Sequence, residues 1–243
     1  MVTMNNNLYA QSATLSREQV KIMEHQLDDV MELIDTAVVK RKLAEVERAC
    51  ATTPSILNKA RLGIIYHETA LNFLADTTYK GFSKKSYDIL TEVVNMPEAP
   101  LALLPFVKSY RASALSLMSG ETKKLALLGD AFELFADAVK TYSTVCYAPE
   151  FMRGSVAENL PWIFFKKKRF AKLDFQSIID KQTYDADFAN WKIMSFTYWA
   201  WAKQFGKKHR TLAIQYLDKA IQLDPNYQAG RKRAEELKEA LRR

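Results

Sequence analysis

The chain has 243 residues, 48% of them apolar, with 35 Lys and Arg against 28 Asp and Glu and a formal net charge of +7. That apolar share supports a sizeable core in one or two domains, and no apolar run reaches the ~18 residues of a membrane-spanning helix. Seven Gly and seven Pro are too few turn residues for a β-rich fold of this size, which predicts an all-α protein.

Residues 1–14 lack a basic start and the apolar stretch of about 7–15 residues that an export signal needs. As written they predict a disordered polar terminus or residual targeting segment, and a cytoplasmic protein. Leu8-Tyr9-Ala10-Gln11 has the look of the tail of such a signal, which leaves an exported protein as the alternative. An ordered domain is expected over 15–243. Ser16 and Gln19 have capping-box spacing, and Leu15 and Val20 suit a hydrophobic staple. Val20, Met23, Leu27, Val30 and Ile34 follow at helical steps. They predict one amphipathic helix that runs on to about Cys50, with a bend near Lys40-Arg41-Lys42. Thr52-Thr53-Pro54-Ser55 reads as a turn into the next helix. Cys50 and Cys146 show no pairing or metal spacing and read as two small buried side chains.

Four later stretches share one spacing. Ala213, Leu217, Ala220-Ile221 and Leu223-Asp224-Pro225 give it in full. Ser86, Leu90 and Val93, then Ala131, Phe135 and Ala138-Val139, then Ala171, Phe175 and Ile178 repeat it. The small residues let a neighbouring helix approach closely, the larger ones fill the groove between helices, and Pro225 ends the helix. The starts at 86, 131, 171 and 213 give a period near 42. Each stretch follows a predicted first helix, carrying Leu62, Gly63 and Tyr66; Tyr110 to Leu115; Met152 to Val156; and Trp191, Met194, Ser195 and Tyr198. Gly81, Gly120 and Gly206 are read as caps that end these first helices, so surplus length is expected between the two helices of each hairpin. After Pro225, Tyr227, Gly230, Ala234, Leu237 and Leu241 make a narrow apolar stripe on a charged helix, which suits a terminal cap.

This spacing resembles the tetratricopeptide repeat (TPR). The resemblance implies a right-handed α-solenoid of about four TPR-like hairpins, with an N-terminal helical extension and a C-terminal capping helix. A second block, Pro149 to Val156 followed by Leu160-Pro161 and Phe164-Phe165, is similar to bacterial TPR-like proteins of uncharacterised function. It departs from them at Trp162-Ile163 and in its lysine run. The likeness covers about residues 100–225 and implies a binding scaffold, because such arrays host many tasks.

No catalytic, metal or cofactor motif stands out. His25, His67 and His209 are dispersed, His67-Glu68 lacks the second His of a zinc helix, and there is no P-loop, GxSxG or GxGxxG. The chain is therefore expected to be no enzyme and to hold no cofactor. Basic clusters precede each repeat start: Lys84-Lys85, Lys123-Lys124, Lys166-Lys167-Lys168-Arg169 and Lys207-Lys208-His209-Arg210. Stacked hairpins would set these in their turns along one edge, serving either solubility or a negatively charged partner. Lys108, Arg111, Arg153, Asn159, Lys192, Phe196 and Trp199 are candidates to line the concave face of first helices. There Arg could hold a carboxylate bidentately and aromatics could anchor a chain, although core packing also suits Phe196 and Trp199. The expected partner is an acidic protein or peptide. Nucleic acid along the basic edge, or a small ligand between the hairpins of an exported protein, are the rivals.

Overall fold

Ser16 starts the first helix in the computed structural model, which describes residues 15–205 and 209–243. Its Oγ accepts from the Gln19 N–H, and the Gln19 side chain accepts from the Ser16 N–H, closing the expected capping box. The helix α1 (Arg17–His25) is short, however, and the predicted run to Cys50 is interrupted. The chain turns over Gln26 to Val30, and Glu32 adopts a left-handed φ of 52°. Asp35 then caps α2 (Thr36–Thr52) by accepting from the N–H groups of Ala37 and Val38. Lys40-Arg41-Lys42, where a bend was expected, lie within α2. Leu27 and Val30 are fully buried all the same. Their helical spacing recorded burial, not a continuous helix.

Eleven α-helices, two short 3-10 turns and no strand make up the described residues. The later helices pack most extensively with their chain neighbours: α3 (Ile56–Asn72) with α4 (Phe82–Val94), and α5 (Leu104–Thr122) with α6 (Leu125–Tyr142). In the same way α7 (Ala148–Asn159) meets α8 (Phe165–Tyr184), and α9 (Trp191–Ala202) meets α10 (Arg210–Leu223). The last helix, α11 (Arg231–Arg242), covers α10 and touches α9. The helices α3, α5, α7 and α9 also touch in succession and so form one row.

The shared spacing marks where these helices meet. Ser86, Leu90 and Val93; Ala131, Phe135 and Ala138; Ala171, Phe175 and Ile178; and Ala213, Leu217 and Ala220 are all buried. Small residues on the opposite helix permit the contact. A Cβ on Gly63 would lie 2.5 Å from Leu90, and one on Gly154 would lie 3.1 Å from Phe175. Ser86 Oγ donates to the Gly63 carbonyl at 2.7 Å, and Ser195 Oγ donates to the Ala220 carbonyl at 2.9 Å. Buried hydroxyls satisfied in this way cost little and fix the register of the two helices.

The surplus length does not all fall in the turns. Only Lys123 and Lys124 separate α5 from α6, and the helices themselves are long, at 19 and 18 residues. Gly120 lies inside α5, and Lys123 makes the left-handed turn at φ 60°. Gly81 is left-handed at φ 88°, but it opens α4 and does not close α3. Gly206 lies outside the described residues. At the C-terminus the Asp224 carboxylate accepts from the N–H groups of Gln228, Ala229 and Arg231, which fixes the turn into α11. No described helix is long and apolar enough to cross a membrane.

Candidate functional site

The row α3, α5, α7 and α9 is not bare. Residues 17–34 run across it as a strap held by polar contacts along its length. Arg17 Nη1 lies 2.7 Å from the Asp185 carboxylate, with its guanidinium 4.8 Å over the Phe188 ring. Glu24 Oε1 accepts from Tyr147 Oη at 2.8 Å and from Asn190 Nδ2 at 2.6 Å. Asn190 caps α9 through its Oδ1, so its amide is fixed at both ends. Asp29 accepts both guanidinium nitrogens of Arg61, at 2.7 and 2.8 Å, and Lys42 Nζ at 2.8 Å. Lys192 Nζ donates to the Met31 carbonyl at 3.0 Å, and Tyr110 Oη donates to Glu32 at 3.0 Å. Leu33 is held on both sides. Its N–H donates to Glu68 Oε2 at 3.1 Å, and its carbonyl accepts from Asn72 Nδ2 at 2.9 Å. Between these contacts Val20, Leu27, Val30 and Met31 enter the main core.

Three strap carboxylates meet three environments. For Asp29, burial would raise the pKa, but the Arg61 and Lys42 hydrogen bonds outweigh it and hold the group at about 2. Glu24 goes the other way, because burial outweighs the bonds from Tyr147 and Asn190. Glu32 keeps some surface as a residue, but its carboxyl is enclosed. Burial and the adjacent Glu68 push it up to about 8 against the Tyr110 bond. A folded-state value above the unfolded one means that Glu32 favours the fold at low pH. That contribution is lost as pH rises from the ordinary carboxylate range through about 8. Glu32→Gln keeps an acceptor for Tyr110 and removes the charge. It is expected to raise stability by about 1–3 kcal/mol near pH 8 and to change little at pH 4. Chemical melts at the two pH values check this, and an equal effect at both would mean that Glu32 is solvated.

Below the strap, His67 Nδ1 lies 3.3 Å from Glu68 Oε1 and its Nε2 lies 2.8 Å from Ser113 Oγ. The Ser-His-Glu order invites comparison with a hydrolytic triad. All three residues are buried in helix packing, and neither Ser113 nor His67 lines a described cleft. The network ties α3 to α5 and, through Glu68, to the strap.

The predicted groove residues separate on this geometry. Lys192 alone of the seven bonds the strap. Lys108 turns to α6, 3.0 Å from Asp137 and over the Tyr142 ring. Arg153 turns to α8, where Asp174 accepts its Nε at 2.9 Å and its Nη2 at 2.7 Å. Arg111 has a buried Nε with no hydrogen-bond partner, and burial pushes its pKa down. The Asp137 carboxylate, which opposes that shift, is on α6 and not over the groove. Asn159 is exposed at the end of α7 and donates to the Ser155 carbonyl. Phe196 is buried 6.5 Å from Phe151. Trp199 is half-buried beneath Lys203 and Arg233.

Lys123-Lys124 lie in the turn between α5 and α6, whereas the other basic clusters run into helices. Lys84-Lys85 and Lys166 to Arg169 stand in the opening turns of α4 and α8, and Arg210 is the first residue of α10. Lys167 lies over the Phe132 ring, and Lys168 donates to the Glu158 and Leu160 carbonyls. Lys166, Arg169 and Arg210 are exposed. Lys207 and Lys208 lie outside the described residues.

The residues that sequence reasoning missed are those of the strap and its seat: Glu24, Asp29 and Glu32, with Arg61, Tyr110 and Tyr147. The signal that could have exposed the strap is Asp35 before Thr36-Ala37, an N-cap that announces a new helix. No protein-family model, curated protein or solved structure matches this chain.

Proposed function

We propose that the chain is a TPR-like α-solenoid of four hairpins, α3–α4 to α9–α10, closed by α11. It acts as a non-catalytic scaffold that binds an acidic peptide segment, supplied by a protein partner, on its row of first helices. The observation that carries this reading is the strap. Its carboxylates at Glu24, Asp29 and Glu32 are met by Tyr147 with Asn190, by Arg61 with Lys42, and by Tyr110. The face therefore already displays donors for spaced carboxylates and apolar sockets between them, which is how a groove recognises an extended chain. A partner segment with that pattern would compete with residues 17–34 for the same seat.

The test begins from the intact protein. A protease site placed at the exposed residues Asp35 to Ala37 allows the strap to be cut in place. The cut strap is expected to stay with the body on size exclusion, and a labelled peptide of residues 15–35 should exchange into its seat. A peptide carrying Asp29→Lys and Glu32→Lys should compete at least about tenfold more weakly, since it loses the bidentate Arg61 contact and sets a like charge against Arg61 and Lys42. Equal competition by both peptides, or a strap that no excess displaces, would show a structural segment and not a ligand site.

A second reading, nucleic acid along the edge of the turns, is favoured only by the exposed Lys166, Arg169 and Arg210. It predicts a steep fall of affinity with salt, which the peptide reading does not require.

A further inference from the structure

We infer that the turn from α7 to α8 docks this protein on an anionic lipid surface. Residues 159–173 contain five Lys or Arg and no carboxylate. Leu160 and Pro161 are extended and carry the chain out of α7 into the 3-10 turn Trp162–Phe164. There Trp162 is 79% exposed, Ile163 57% and Phe165 66%. The tip is not left outside by a loose backbone. Lys168 Nζ bonds the Glu158 and Leu160 carbonyls at 2.9 and 2.7 Å, the Phe164 N–H donates to the Pro161 carbonyl at 3.1 Å, and Phe170 packs 5.8 Å from Phe132. Three large apolar side chains are held out on a braced knob.

Immediately behind the knob, Lys166, Arg169 and Lys172 are exposed along α8. This is the layering that a bilayer surface rewards: indole and phenyl rings at the interface, aliphatic groups just below it, and cations level with the headgroups, their stems covering apolar surface. Anionic lipid adds electrostatic attraction to the apolar burial. The neighbouring turn reinforces the pattern. Phe132 of α6 meets Phe170 and Lys167 of α8, and at the start of α6 Leu125 is 63% exposed beside the exposed Lys123 and Lys124. Nucleic acid would use the cations and the rings but leave Ile163 and Leu125 without a partner. A fluid, flat surface accommodates a convex knob without needing a matching pocket. The knob shares no residue with the strap, so lipid docking stands apart from peptide binding.

The test is sedimentation of the full-length protein with vesicles of phosphatidylcholine alone, and with vesicles containing about 30% phosphatidylglycerol. Binding is expected to the anionic vesicles and to weaken with added salt. The triple variant Trp162→Ser, Ile163→Ser, Phe165→Ser should lose at least about tenfold in partitioning while keeping the wild-type helical spectrum and melting curve. Lys166→Glu with Arg169→Glu should weaken binding to anionic vesicles in particular. Quenching of tryptophan fluorescence by brominated lipid should drop when Trp162 alone is replaced by Phe. The inference is overturned if wild-type protein sediments with neither vesicle, or if the triple variant binds as well as wild type. It is equally overturned if the knob instead drives a concentration-dependent dimer, or binding of a nucleic-acid oligomer, with no vesicle binding.

Discussion

Arg153→Ala is expected to lower stability by about 3–5 kcal/mol, the loss typical of removing one partner from a buried ion pair. Both side chains are largely enclosed between α7 and α8, and the guanidinium also lies 4.3 Å over the Phe170 ring. Even with the guanidinium present, burial pushes Asp174 up to about 6, with the Arg153 bonds opposing it. A carboxyl raised in the folded state favours the fold at low pH, and that contribution is lost as pH rises from the ordinary carboxylate range through about 6. Without Arg153 nothing comparable opposes burial, so the decline should extend to higher pH. The gap between variant and wild type should therefore widen from pH 5 to pH 8 in urea melts. The double variant Arg153→Ala, Asp174→Ala should recover part of the loss, because no buried carboxylate is left unpaired. A loss below about 1 kcal/mol at pH 8 would show that the pair is not what seats α7 on α8. Impaired peptide exchange at unchanged stability would return Arg153 to the groove.

What could be read from the sequence depended on how local its cause was. The positions Ser86, Ala131, Ala171 and Ala213 and their partners four and seven residues on were legible, because helical burial repeats with the helix itself. The cap at Ser16 was legible because both of its partners lie within one turn. The strap was not. Leu27 and Val30 are buried whether or not the helix continues, and the reversal at Glu32 uses a left-handed residue that is not glycine, with no Gly or Pro near it to mark the break. As cations on first helices, Arg153 and Lys108 suit the groove on sequence grounds alone. Their direction is set by Asp174 and Asp137, which reach them only after the helices have paired. Lys84-Lys85 and Lys166 to Arg169 lie within the first turns of their helices for a related reason. The starts of α4, α6, α8 and α10 have no side-chain cap to announce them.

Ala220→Trp is expected to cost at least about 3 kcal/mol, at or beyond the upper end of ordinary overpacking. Three segments converge at this residue with no slack. The Ala220 carbonyl accepts from Ser195 Oγ at 2.9 Å, and that hydroxyl oxygen accepts from the Gly230 N–H at 3.1 Å. A Cβ on Gly230 would already lie 2.6 Å from the Ser195 carbonyl oxygen. The buried members of this local cluster are Ala202, Ala213, Leu217, Ala220 and Ala234. Four alanines have no side chain to swing aside, so an indole can fit only if α9, α10 and α11 separate. The melting temperature should fall by roughly 6–12 °C for a chain of this size. Ala220→Ser, which adds one atom, should lose far less, and Ala220→Gly only about the ~1 kcal/mol expected of glycine in any helix. That contrast distinguishes a steric clash from a general loss of helix propensity. If the tryptophan variant melts within about a degree of wild type, the helices do not close on Ala220, and the spacing shared by the four stretches does not mark their contact points.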